Sequence, residues 1–141
     1  MKKNTLTFIA LFIAAFCFSQ KVVLVGMNHL SSDGFSFVAT ENIPEGEFIY
    51  FTDNEYNSGG NSFTTGEAVV KYSVGLGGLS KGVVVFVNET SANLFATSCS
   101  SGACGSAIIS TAFGNSSFAL ATNGEGLYAY SDTDEDVANG D

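Results

Sequence analysis

Carboxylates are the residues of this chain best placed to do chemistry. Asp53 and Glu55 flank Asn54 directly after an aromatic run, and Glu67 follows twelve residues later. Carboxylates at the exit of a strand can contribute to a Ca²⁺ site, which collects several oxygens from side chains, carbonyls and water. Two of them at a defined separation can also serve as the acid and base of a glycosidase. A second acidic run, Asp132-Thr133-Asp134-Glu135-Asp136, places aspartates at alternate positions as an EF-hand loop does. Val137 stands where such a loop needs its turn-forming glycine. Asp53, Glu55, Asp132, Asp134 and Asp136 are therefore the candidate Ca²⁺ ligands, with a solvated acidic surface as the plainer reading. No catalytic residue is assigned. His29, the only histidine, sits beside Ser31, Ser32 and Asp33. Neighbours in one short loop do not build a nucleophile–base–orienter geometry, so this reads as surface loop. The chain contains no phosphate loop, dinucleotide fingerprint or zinc-protease motif.

The elements that must position Asp53 and Glu55 are strands. Phe35–Val38 and Phe48–Phe51 are two aromatic runs around Pro44-Glu45-Gly46, and Thr52-Asp53-Asn54 closes the second. Phe35, Phe37 and Ala39 alternate onto one face. The second run is apolar on both faces, as a strand in the middle of a sheet would be. Ile43–Gly46 fits a type I turn. Val22–Met27, Ala68–Val74, Ala107–Ser110, Phe118–Thr122 and Leu127–Tyr130 read as further strands, and the continuously apolar Val83–Val87 as a fully buried one. Asn123-Gly124 is a hairpin signal between the last two. Asn57–Asn61 is loop by composition, and Gly75–Gly82 allows an irregular reversal. Thr90–Ala96 predicts one capped helical turn. The expected fold is all-β, an antiparallel β-sandwich of about eight strands with no long helix after residue 19. Phe37, Phe48, Tyr50, Val70, Val85 and Leu120 are its expected core. Tyr56, Phe63, Tyr128 and Tyr130 are aromatics able to stack on sugars or a protein partner, or to complete the rim of the core.

The 141 residues are enough for one domain. Lys2 and Lys3 followed by the apolar run Leu6–Phe18 resemble a secretory signal, and the run is short of the ~20 residues that span a bilayer. The expected organisation is a signal over 1–19, the β domain over 20–130, and an acidic tail or the start of a continuation over 131–141. Once the signal is removed, Lys21, Lys71 and Lys81 face fourteen acidic residues, a charge of −11. Arginine is absent. Nucleic acid is thereby excluded as an expected partner, since phosphate binding rests on Lys and Arg. Of the three cysteines, Cys99 and Cys104 remain, and an even pair in a secreted chain reads as a disulfide. Zinc is disfavoured because it needs four ligands, usually Cys and His.

The order VVLVG, DGFSFVAT, NIPEGEFIYFTDN, GEAVVKYS, LSKGVVVFVN and FALATNGEGLYAY resembles a module of secreted and surface-attached bacterial proteins. Its plan is also similar to lamin-tail-like immunoglobulin sandwiches. The likeness covers most of Val22 to Tyr130, with Phe48–Asn54 its most specific part. The signal ending in FSQ looks like those of gliding, Bacteroidota-type bacteria. The resemblance implies a secreted or cell-surface setting, a glycan or protein ligand, and further domains of the same polypeptide. It implies no reaction. The function expected is a non-catalytic module for binding, adhesion or spacing. The alternative is a secreted hydrolase, or its accessory domain, using Asp53, Glu55 or Glu67. That alternative requires two of those carboxylates to face each other across a concave pocket.

Overall fold

The computed structural model describes residues 20–29, 32–60, 62–91, 94–110, 118–120 and 126–131. Every regular element among them is a strand: β1 (Val22–Asn28), β2 (Gly34–Ala39), β3 (Phe48–Thr52), β4 (Tyr56–Asn57), β5 (Ser62–Phe63), β6 (Val69–Ser73), β7 (Val84–Ser91), β8 (Leu94–Cys99), β9 (Ser106–Ile109) and β10 (Tyr128–Tyr130). Eight of them form one sheet in the order β1-β2-β7-β8-β9-β6-β3-β10, with every neighbouring pair antiparallel. The sheet rolls up until its first and last strands approach each other. β4 and β5 make a separate small hairpin.

Period-2 alternation builds the interior. Phe35, Phe37 and Ala39 of β2 are buried, as are Ile49 and Phe51 of β3, Val70 and Tyr72 of β6, and Val85 and Val87 of β7. The two aromatic runs are not neighbours in the sheet. They meet across the core instead. The Phe51 ring lies 4.5 Å from Phe35 and 5.0 Å from Phe37, and Phe37 meets Tyr72 edge-on at 5.1 Å. Phe118 adds an edge contact to Phe35 at 5.9 Å, and Leu120 is buried with it. Each such side chain contributes about 1.5–3 kcal/mol on burial.

Five local expectations are corrected. Phe48 is 42% exposed, since it lies on the outer face of β3. Thr90–Ala96 is no helical turn: Thr90 and Ser91 end β7, Leu94 starts β8, and the two strands pair. β7 is buried on one face alone, with Phe86 turned outward. The Pro44 turn closes one residue later than a type I turn over Ile43–Gly46 would. The Glu47 amide donates to the Pro44 carbonyl, and Gly46 takes a φ of 79° at the third position, which favours glycine. Finally, Phe118–Leu120 carries no strand pairing. Thr122, the Asn123-Gly124 signal and the Asp132–Asp136 run lie outside the described residues.

Cys99 and Cys104 are joined, with their Cα atoms 5.7 Å apart. Gly105, the residue directly after the closed loop, packs on β6. Its amide donates to the Tyr72 hydroxyl at 3.0 Å, and its carbonyl accepts from Thr97 Oγ1 at 2.6 Å. A Cβ at Gly105 would run into the Ser73 carbonyl and stand 2.8 Å from the Tyr72 ring.

Candidate functional site

The chain leaves β3 through Thr52, Asp53 and Asn54, all buried although polar. Buried polar groups require hydrogen bonds, and here Thr52 and Asn54 supply them to each other and to the segment leading into β6. Thr52 Oγ1 donates to the Ala68 carbonyl at 3.2 Å. It accepts from the Asn54 amide nitrogen at 3.1 Å and from Asn54 Nδ2 at 2.7 Å. Asn54 then reaches across to Glu67 in both directions. Nδ2 donates to the Glu67 carbonyl at 3.1 Å, and Oδ1 accepts from the Glu67 amide at 3.0 Å. The side-chain amide thus acts as one more peptide group, extending the β3–β6 ladder beyond its last backbone pair, Thr52 with Val69.

This clamp brings residues 53, 55 and 67 around one cleft of about 600 Å³. Asp53 is 3% exposed, with both carboxylate oxygens beneath the surface. Glu55 is exposed and Glu67 half-buried. The β4–β5 hairpin forms one wall: Tyr56 pairs with Phe63, and the Thr64 amide donates to the Glu55 carbonyl at 2.8 Å. Gly126 and Tyr128 form another.

An aromatic scaffold underlies the walls. Phe63 meets Tyr56 at 5.4 Å and Tyr128 at 5.3 Å, edge-on to both, and lies 5.3 Å from Tyr130. Tyr130 stacks on Tyr50 at 5.5 Å. Tyr50 and Val69 are buried on the outer face of the sheet under this cover, with Phe63 and Tyr130 packed against them. Beyond it, Lys71 Nζ sits 3.9 Å from the centre of the Phe48 ring. Tyr56 and Tyr128 stay 45% and 40% exposed at the mouth of the cleft.

Of the residues singled out from sequence, Asp53, Glu55 and Glu67 come together. Asp132, Asp134 and Asp136 lie outside the described residues. Among the described residues, no three Asp, Glu, His or Cys side chains are grouped closely enough to hold a metal ion. His29 is exposed. Asp33, its neighbour in sequence, is a structural anchor. Its Oδ2 accepts from the Leu120 amide at 3.1 Å, and its carbonyl accepts from the Glu89 amide at 2.8 Å. Sequence reasoning missed Thr52 and Asn54 as the clamp. The available signal was two polar, hydrogen-bonding side chains at the end of a strand apolar on both faces. Comparison with family models, with curated proteins and with solved structures finds no match for the chain.

Proposed function

We propose that the chain is a binding module of a secreted or cell-surface protein, and that its ligand occupies the cleft at the exit of β3. The observation that carries this reading is the shared cleft itself. Residues 53–56, 64–67, 126 and 128 come from separate stretches of sequence, yet they line one depression of about 600 Å³ on a clamped backbone. That volume falls within the range of small-ligand sites, and convergent polar groups beside aromatic walls are what orient a ligand there. The signal-like N-terminus and the Cys99–Cys104 bond support an extracellular setting.

The test is co-sedimentation of the purified chain with cell-envelope material. The chain should pellet with that material, and Tyr56→Ala should weaken the association with the fold intact. Equal sedimentation of the variant would remove the cleft from the binding reaction. The hydrolase alternative keeps one point in its favour, because Glu55 and Glu67 both line the cleft, with the Asp53 carboxylate beneath its surface. It predicts release of reducing ends from the same material, abolished in Glu67→Gln.

A further inference from the structure

The wall of the cleft consists of carboxylates, tyrosines, threonines, glycines and one asparagine, with no aliphatic residue among the described ones. Its two tyrosines are held in fixed relation by Phe63, which meets each ring edge-on. Tyr128 is further placed by Gly126. A Cβ there would stand 3.1 Å from the tyrosine's ring and hydroxyl, so the ring folds back over a position that glycine leaves open. Both tyrosine rings are therefore packed against neighbours at the mouth of the cleft. Their faces carry the negative part of the ring quadrupole, and Glu55 and Glu67 add formal negative charge beside them.

Two independent features thus give the cleft one electrostatic sign. An anionic ligand would be repelled by both. A hydrocarbon ligand would gain from the rings but would strip water from carboxylates without replacing its hydrogen bonds. An organic ammonium group satisfies both features. Its N–H groups pair with the carboxylates, and the positive C–H shell around the nitrogen lies against ring faces. Thr64 and Thr65 add exposed hydroxyls on the same wall, which suit a ligand rich in hydroxyls.

Resting on the cleft as the binding site, we infer that its ligand is a glycan bearing free amino groups. The sugar nitrogen sits between Glu55 and Glu67, the pyranose C–H face lies on Tyr56 or Tyr128, and ring hydroxyls meet Thr64 and Thr65. The acidity of the chain as a whole favours such a ligand at a distance, because net charge attracts the opposite sign before contact.

The experiment is a titration followed by NMR of the purified chain with three probes. They are a glucosamine tetramer, the same tetramer N-acetylated, and a lysine trimer. The first two differ only in charge and acetyl group. The free-amine tetramer should shift the resonances of Tyr56, Thr64 and Tyr128, and should bind at least about tenfold tighter than the acetylated form. Binding should weaken as salt rises, and Glu55→Gln, at an exposed position, should bring the two tetramers together without unfolding the protein. Equal binding of both tetramers would overturn the inference in favour of a neutral sugar. Tighter binding of the lysine trimer would overturn it in favour of a basic peptide. No shift at the cleft with any of the three would also overturn it. In that last case, envelope binding that stays sensitive to Tyr56→Ala would leave the cleft reading standing, and its loss would take both down.

Discussion

Asn54→Ala is the substitution that most directly probes how the site is built. It removes three side-chain hydrogen bonds, two of them to the Glu67 backbone and one to Thr52 Oγ1. A hydrogen bond is worth about 0.5–1.5 kcal/mol net, and more where a buried partner is stranded. Asn54 is 3% exposed, so water does not readily replace the lost contacts. The expected loss is therefore about 2–4 kcal/mol, read as a fall in the urea midpoint at unchanged slope. The chain has no tryptophan, so the unfolding signal is tyrosine fluorescence or far-ultraviolet dichroism. Asn54→Asp separates the clamp from mere volume. Its Oδ1 can still accept from the Glu67 amide, but a carboxylate cannot donate to the Glu67 carbonyl. Burial beside that carbonyl would raise the new carboxyl's folded pKa above its unfolded value of about 3.9. Its neutral form, which regains a donor, supports the fold below that value, and the support fades as pH rises through the folded pKa. The Asp variant should therefore come closest to wild type in acid. A loss under about 1 kcal/mol in Asn54→Ala, or an Asp variant with a pH-independent deficit, would refute the clamp.

Three further outcomes follow from the fold. Phe37→Ala should cost about 3–5 kcal/mol, since the ring is fully buried against Phe51 and Tyr72; a loss below about 1 kcal/mol would remove Phe37 from the core. Gly105→Ala should cost about 1–3 kcal/mol or more, because the added methyl meets the Ser73 carbonyl and the Tyr72 ring; an unchanged urea midpoint would show that Gly105 does not pack on β6. Burial raises the Tyr72 phenol above its ordinary value of 10.0, an effect partly offset by the hydrogen bond from the Gly105 amide. The stability this contributes is present below the unfolded pKa and lost as pH climbs through the folded one, so Tyr72→Phe should flatten the alkaline fall in stability; an identical pH profile in the variant would exclude Tyr72 as its source.

The strands were legible because this chain alternates cleanly. Phe35, Phe37 and Ala39, and Ala68, Val70, Tyr72 and Val74, are the buried sets that the period-2 pattern picks out. Phe48 misled because β3 is apolar on both faces. Its outer face is covered over only part of its length: Phe63 and Tyr130 close over Tyr50, whereas Phe48 lies beyond them with Lys71 above its ring. A pattern of types shows that a face is apolar, not how far the cover extends. The helical turn expected at Thr90–Ala96 failed for a related reason. Thr90 and Ser91 are good caps in isolation, but the pairing of Glu89 with Phe95 draws the segment into the sheet. Strand order is a further step removed. Nothing in the two aromatic runs says that β2 and β3 face each other across the core with four strands between them in the sheet.

The site was half legible, and the missing half is geometric. Asp53, Glu55 and Glu67 were visible as carboxylates, but the twelve residues from Glu55 to Glu67 do not say whether Glu67 lies beside Glu55 or across the molecule. Asn54 decides it. Its amide carries one acceptor and one donor in the same relation as a peptide group, so it can continue a ladder where the backbone turns away. Aspartate could not do so, lacking the donor at neutral pH, and glutamine would place the same groups one carbon farther out. The identity at position 54 therefore fixes the spacing between β3's exit and Glu67, and with it which carboxylates share a cleft. The aromatic half follows the same logic: Tyr56 and Tyr128 are far apart in sequence and become two walls of one cleft because Phe63 touches both. On the binding reading proposed above, a change of ligand would need new residues at the exposed positions Glu55, Tyr56, Thr64, Thr65 and Tyr128. A change at Asn54 or Phe63 would instead scatter the walls. On that same reading, ligand contact and scaffold fall to different side chains, and substitutions in the two sets should separate cleanly into altered affinity at constant stability and lost stability.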